Sequence, residues 1–229
     1  MNAPTRLASC CALAVVVTGG AARAQSAPVT VTPTTGAVAS PDRSSGWNTA
    51  TNVLSISSLA FELVMPRVFY SDPAVTTGFK ARWHVSALAP IMTLATLALF
   101  NEQVLKDSFA GLRPDCTDQG QPGCSSFGFM STQSFAAGSA LGYGTGVFLV
   151  DTLKWSGGAV NGGALVGEVI VPLILAPITA IGRTAGNWET GGQAWGSAVI
   201  GLGVGLAMGA MYSLLQRPEC GYTGNLICW

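Results

Sequence analysis

Long apolar stretches broken by short polar ones set the pattern of this chain. After an N-terminal apolar stretch, Leu7 to Val17, apolar runs recur at Trp47 to Met65, Trp83 to Leu105, Ser134 to Lys154, Ala164 to Ile181 and Gly196 to Leu215. Each later run is about 20 residues, the length needed to cross a hydrocarbon core as a helix. Trp83 to Leu105 is the clearest, nearly charge-free with Pro90 inside it, a kink that packed membrane helices tolerate. Two runs carry small residues every fourth position, Gly138, Gly142 and Gly146 in one and Gly201, Gly205 and Gly209 in the other. Ridges of that kind let helix backbones approach closely in lipid. The pattern predicts an all-α polytopic transmembrane bundle of about five spans. A surface-lying amphipathic helix is the alternative for Trp47 to Met65, which holds Glu62 and could place Trp47 at an interface.

The stretches between the runs divide the chain. Residues 1–24 read as a secretory signal: Arg6, the apolar stretch, then Ala22-Arg23-Ala24 as an A-x-A cleavage site. Residues 25–46, rich in Ser, Thr and Pro, read as an exported linker without a core. Residues 47–216 form the predicted helical membrane domain, and 217–229 a polar tail. Arg67, Lys80 and Arg82 against Asp72 give one short loop a positive excess, which marks it as cytoplasmic. The following loop, Lys106 to Gln133, then faces the periplasm of a bacterial-type inner membrane, as does the segment around Arg183.

Composition agrees with a membrane protein: 10% charged and 49% hydrophobic residues in 229, with 29 Gly and a mean hydropathy of +0.45. A formal net charge of zero excludes the basic footprint that nucleic acid requires. Cys10 and Cys11 leave with the signal. Cys116 and Cys124 flank one short loop and Cys220 and Cys228 another, which reads as two disulfides in an exported chain, although four cysteines allow three pairings. The topology sets the second pair in the cytoplasm, where it should stay reduced, so either that pair is a free dithiol or one segment does not span. No His or clustered acid stands beside the cysteines, so no metal is expected, and no cofactor loop is present.

Candidate chemistry concentrates at run ends. Lys106 and Arg113-Pro114 form K-x6-R-P; Met130-Ser131-Thr132-Gln133 opens the next helix; Gly182-Arg183 is followed by Glu189 and Gln193. Arg offers a planar fork suited to phosphate oxygens and Lys a mobile point charge. Glu168, near the start of its run, is either an intramembrane functional acid or a partner of the helix dipole. His84, the single histidine, is predicted at the opposite membrane face.

These residues resemble the three motifs of the type 2 phosphatidic acid phosphatase (vanadium haloperoxidase-like) superfamily, K-x6-R-P, P-S-G-H and S-R-x5-H-x3-D. The resemblance runs from about Trp83 to Met211. It implies a helical bundle with lipid-phosphate chemistry at the periplasmic face. It also implies that Lys106, Arg113, Ser131 and Arg183 hold phosphate oxygens, with membrane lipid, in particular a lipid phosphate, as partner. The chain departs from the pattern at the catalytic groups: Gln133 and Glu189 stand where the two His belong, and Gln193 where the orienting Asp belongs. Gln has no proton to exchange near neutral pH, and a Glu among cations is expected to pair with them. The resemblance therefore implies a catalytically degenerate member with a residual phosphate cradle. An active phosphatase using Glu189 as nucleophile, and a structural helical protein without a phosphate site, remain open beside it. Oligomeric state is not written in the sequence.

Overall fold

A computed structural model describes residues 42–68, 88–109, 111–118 and 120–215. The signal, most of the linker, His84, the Arg67–Arg82 loop beyond residue 68, and the tail with Cys220 and Cys228 lie outside these residues. Among the described residues every regular element is helical. Helix α1 is Ser45–Val68. Helix α2 is Leu88–Phe100, continued by a π turn, Asn101–Leu105, and a last α turn, Lys106–Phe109. Helix α3 is Thr132–Val150, again continued by a π turn, Asp151–Trp155. Helix α4 spans Gly162–Ala185 and α5 Gly191–Leu215.

Helices α4 and α5 are long and apolar enough to cross a membrane, and Leu88–Val104 forms a shorter apolar helix. Three boundaries differ from the sequence expectation by four residues or more. Lys106 belongs to the end of α2 and not to a loop. Helix α4 runs on to Ala185, past the predicted Ile181. Helix α5 starts at Gly191, five residues before the predicted Gly196, because Thr190 and Gln193 cap it, as described below.

The α3–α5 pair is the most extensive contact in the bundle. Its seam is made of the two glycine ridges facing each other. A Cβ on Gly138 or Gly142 would overlap the carbonyl oxygens of Ala198 or Leu202, and one on Gly201, Gly205 or Gly209 the carbonyl oxygens of Phe135, Ser139 or Tyr143. Backbone meets backbone, so only hydrogen fits at these positions. Beside the seam, Ile91, Leu94, Tyr143, Val147 and Tyr212 form an apolar cluster.

Helix α1 packs on α3 and α4. Its polar side is the one turned inward. Thr51, Ser55, Ser58 and Glu62 are buried, whereas Val53 and Ile56 are exposed. The hydroxyls of Thr51, Ser55 and Ser58 donate to carbonyls of their own helix, so burying them leaves no donor unpaired and costs little. An interfacial helix would show the reverse faces. Glu168 is buried too, in the first part of α4, and its backbone carbonyl lies against Gly144 of α3.

Hydrogen bonds between chain-distant residues bring five helix ends together: the start of α1, the end of α2, the start of α3, the end of α4 and the start of α5. The three motifs lie at this end of the bundle.

Candidate functional site

The turn after α4 builds the first part of the site. The backbone N–H groups of Trp188 and Glu189 both donate to the Arg183 carbonyl, and Asn187 takes a left-handed φ of 56° to make the reversal, a conformation Asn tolerates better than most residues. Folding back in this way lays Glu189 against Arg183. Its Oε1 accepts from Arg183 Nη2 at 2.7 Å and from Nε at 3.1 Å. The remaining guanidinium nitrogen, Nη1, donates to Asn48 Oδ1 of α1 at 2.7 Å. Arg183 and Glu189 are 2% and 1% exposed, so this is a buried pair, in which removing one partner strands the other's charge.

Arg113 approaches from the loop after α2. Its Nη1 donates to the Trp188 carbonyl at 3.1 Å, and its Nε to Ser126, carbonyl and hydroxyl, at 3.1 Å each. Three guanidinium groups gather around the Trp188 indole: Arg113 and Arg183 at 5.4 Å from the ring centroid, and Arg43 at 5.5 Å. An aromatic face attracts cations. Burial pulls the Arg113 pKa below the ordinary arginine range. Glu189 opposes that shift, while Arg183 and Arg43 deepen it.

Lys106 is 3% exposed and its Nζ lies 2.6 Å from Glu102 Oε2, one turn back on α2. The same carboxylate oxygen accepts the Thr132 hydroxyl at the start of α3. Burial lowers the Lys106 pKa. The Glu102 hydrogen bond and charge resist, Arg113 lowers it further, and Glu189 raises it. Lys106, Arg113, Arg183 and Glu189 thus form one electrostatic cluster.

Gln133 Nε2 donates to Asn52 Oδ1 at 2.8 Å, one helical turn from the Asn48 that holds Arg183. Its Oε1 is buried without a hydrogen-bond partner, as is Glu189 Oε2. Ser131 is fully buried and is the N-cap of α3: its hydroxyl accepts from Ser134 N–H at 3.3 Å and donates to Ser134 Oγ at 3.1 Å, and its own N–H donates to Ser197 Oγ at 2.7 Å. Both polar groups of Ser131 are therefore used within the fold. Gln193 forms a reciprocal cap of α5 with Thr190: Thr190 N–H donates to Gln193 Oε1 at 2.8 Å, and Gln193 N–H to Thr190 Oγ1 at 3.3 Å. Its Nε2 also reaches the Leu112 carbonyl at 2.7 Å, tying the first motif's loop to α5.

Cys116 and Cys124 are joined by a disulfide, with Cα atoms 5.8 Å apart. Arg43, inside the predicted linker, donates to Cys116 Sγ at 3.0 Å and to the Gly123 carbonyl. The Trp188 indole N–H donates to the Ser44 carbonyl at 2.9 Å, and Ser44 N–H to the Gly186 carbonyl at 3.1 Å. Residues 42–44 thus lie across the turn that carries Glu189.

Sequence reasoning missed Arg43, Asn48, Asn52, Glu102 and Trp188. Glu102 and Lys106 stand at the i,i+4 spacing of a helical ion pair, and Thr190-x-x-Gln193 is a capping-box pattern; both signals were legible. Nothing local marks Arg43 or the two Asn. Chemically, the site holds several cations but presents each with an internal acceptor.

No family model matches the chain, and no curated protein matches it. Its structure is similar to a crystal structure of a transmembrane PAP2-type phosphatidylglycerolphosphate phosphatase from Bacillus subtilis. The likeness covers 76% of this chain and 81% of that one, at 16% identity and a TM-score of 0.47.

Proposed function

We propose that the chain is an inner-membrane protein of the type 2 phosphatidic acid phosphatase kind in which the phosphate cradle holds the protein's own carboxylates. It binds or scaffolds and does not hydrolyse. The motif loops face the periplasm, following the positive loop before α2. The observation that carries the reading is the Arg183–Glu189 pair, 2.7 Å apart and buried. A substrate phosphate would need the guanidinium that Glu189 occupies. Held by two hydrogen bonds from a cation, Glu189 is a poor nucleophile. Gln133 supplies no proton for a leaving alkoxide. The residual cradle is the set Lys106, Arg113 and Arg183, and opening it requires displacing Glu189.

Two measurements test this on purified full-length protein. Phosphate release from phosphatidate and isoprenyl diphosphates is expected to stay at background; turnover that disappears in Glu189→Gln would sink the reading. Vanadate binding by calorimetry is expected to strengthen about tenfold in Glu189→Gln, since one charge-assisted bond no longer competes. No gain in a variant that keeps its thermal stability would count equally against it.

A further inference from the structure

The turn that carries Glu189 is fastened by a short segment from before α1. Gly186, Asn187 and Trp188, the three residues leading into Glu189, each give one polar group to residues 42–44. The Gly186 carbonyl accepts from Ser44 N–H at 3.1 Å. The Asn187 amide donates to the Asp42 carbonyl at 3.4 Å, and the Trp188 indole N–H to the Ser44 carbonyl at 2.9 Å. All three bonds end on main-chain atoms of the segment. The Arg43 side chain reaches the other way, to Cys116 Sγ at 3.0 Å and to the Gly123 carbonyl of the disulfide loop. That loop follows directly on Arg113, whose carbonyl accepts from Cys116 N–H at 3.2 Å. Residues 42–44 therefore bridge the two segments that bring Arg113 and the Arg183–Glu189 pair to the site.

The bridge itself is lightly held. Asp42 and Ser44 are exposed and Arg43 is half-buried, whereas Arg183 and Glu189 are buried. Hydrogen bonds among exposed groups contribute least and open first, without global unfolding. Glu189 can leave Arg183 only if its turn moves, and every residue of that turn ahead of it is tied to this segment.

We infer that residues 42–44 are an autoinhibitory strap. While the strap is closed, Glu189 stays on Arg183; when it lifts, the turn is free to move and the cradle admits an external oxyanion. The inference rests on the reading of Glu189 as the cradle's internal occupant and adds what controls that occupant.

Vanadate calorimetry on the purified full chain tests the strap and separates it from that reading. Arg43→Ala cuts the strap from the disulfide loop and also removes a cation near the cradle. Lost charge alone would weaken vanadate binding, whereas a released strap strengthens it, by about threefold for one weak hydrogen-bonded contact. Trp188→Phe removes the N–H that holds Ser44, keeps every charge, and is expected to give a similar gain. Neither gain is expected in a Glu189→Gln background, where no carboxylate is left to displace. In the unmodified chain, hydrogen exchange is expected to show the Trp188 and Glu189 amides at least as protected as that of Ser44, because the turn opens only after the strap. A gain in Glu189→Gln but none in Arg43→Ala or Trp188→Phe would overturn the strap and leave the reading of Glu189 standing. Turn amides less protected than Ser44, or gains undiminished in the Glu189→Gln background, would also overturn it. No gain in Glu189→Gln itself would remove that reading, and the strap with it.

Discussion

The α3–α5 seam and the cationic end, where five helix ends meet, are held in opposite ways. Along the seam, stability comes from what is absent. Six glycines let two backbones touch, and side-chain hydrogen bonds between the two helices lie at their ends, Ser131 N–H on Ser197 Oγ at one and the Ser213 hydroxyl on Asp151 at the other. At the cationic end it comes from charged side chains and the acceptors they reach, Arg183 on Glu189 and Asn48, Arg113 on the Ser126 hydroxyl and the Trp188 carbonyl, Lys106 on Glu102. The seam is intolerant of added volume and indifferent to charge. The cationic end is intolerant of lost charge, yet its groups are replaceable in matched sets. Substitutions at the two ends should therefore fail by different rules.

The largest effect is expected at the seam. Gly142→Val sets two methyls where the Leu202 carbonyl lies, with Leu206 N beyond it at 2.7 Å from the added Cβ. The helices must separate along their length, a strain above the usual overpacking range of about 1–3 kcal/mol. No monodisperse folded protein is expected by size exclusion in detergent. Gly203→Val on the same α5, where a Cβ meets open space, should leave the elution profile unchanged. If both variants behave alike, close backbone approach is not what holds the pair.

Next in size is the buried ion pair. Arg183→Met leaves Glu189 charged, buried and unpaired, which is expected to cost about 3–5 kcal/mol. Arg183→Met with Glu189→Leu should recover most of that loss, because an apolar pair needs no solvation. Thermal unfolding of both variants checks the sign of the difference. A double variant no more stable than the single one would mean that Arg183 matters through Asn48 and Trp188, not through Glu189.

How much of this was legible follows the same division. The seam could be read because its information is periodic and local: Gly138, Gly142 and Gly146 announce a face, whatever lies opposite. The cationic end was only half legible. Lys106, Arg113 and Arg183 stand out because charge at the end of an apolar run is unusual. Their partners do not. Asn48 is 135 positions from the Arg183 it meets, and Asn52 is 81 from Gln133. A neutral amide inside an apolar helix looks the same whether it bonds a guanidinium or its own backbone. Arg43 was hidden further, in a stretch whose composition reads as linker but whose last residues reach the disulfide loop. Helix α1 is open to two readings for a related reason: its Ser and Thr mark a polar face, but periodicity does not say whether that face is wet.

The smallest effect sharpens the comparison most, because it concerns a residue that could belong to either end. Gln193 stands where the resembled family has its orienting Asp, which invites a chemical role, yet its amide is spent on capping α5 and on the Leu112 carbonyl. If that is its whole part, Gln193→Ala should lower stability by about 1 kcal/mol, the size of a lost helix cap, and leave vanadate affinity of Glu189→Gln unchanged when the two are combined. Gln193→Glu should retain the cap, since its carboxylate still accepts from Thr190 N–H, but lose the donor to Leu112 and set two acceptors against each other. Its stability is expected to fall below that of Gln193→Ala for this reason, as an unpaired carbonyl facing a carboxylate is worse than one facing water. The order of the two melting temperatures is the reading. Gln193→Glu more stable than Gln193→Ala would mean that the Leu112 contact contributes nothing, and that the first motif's loop is positioned by Arg113 alone.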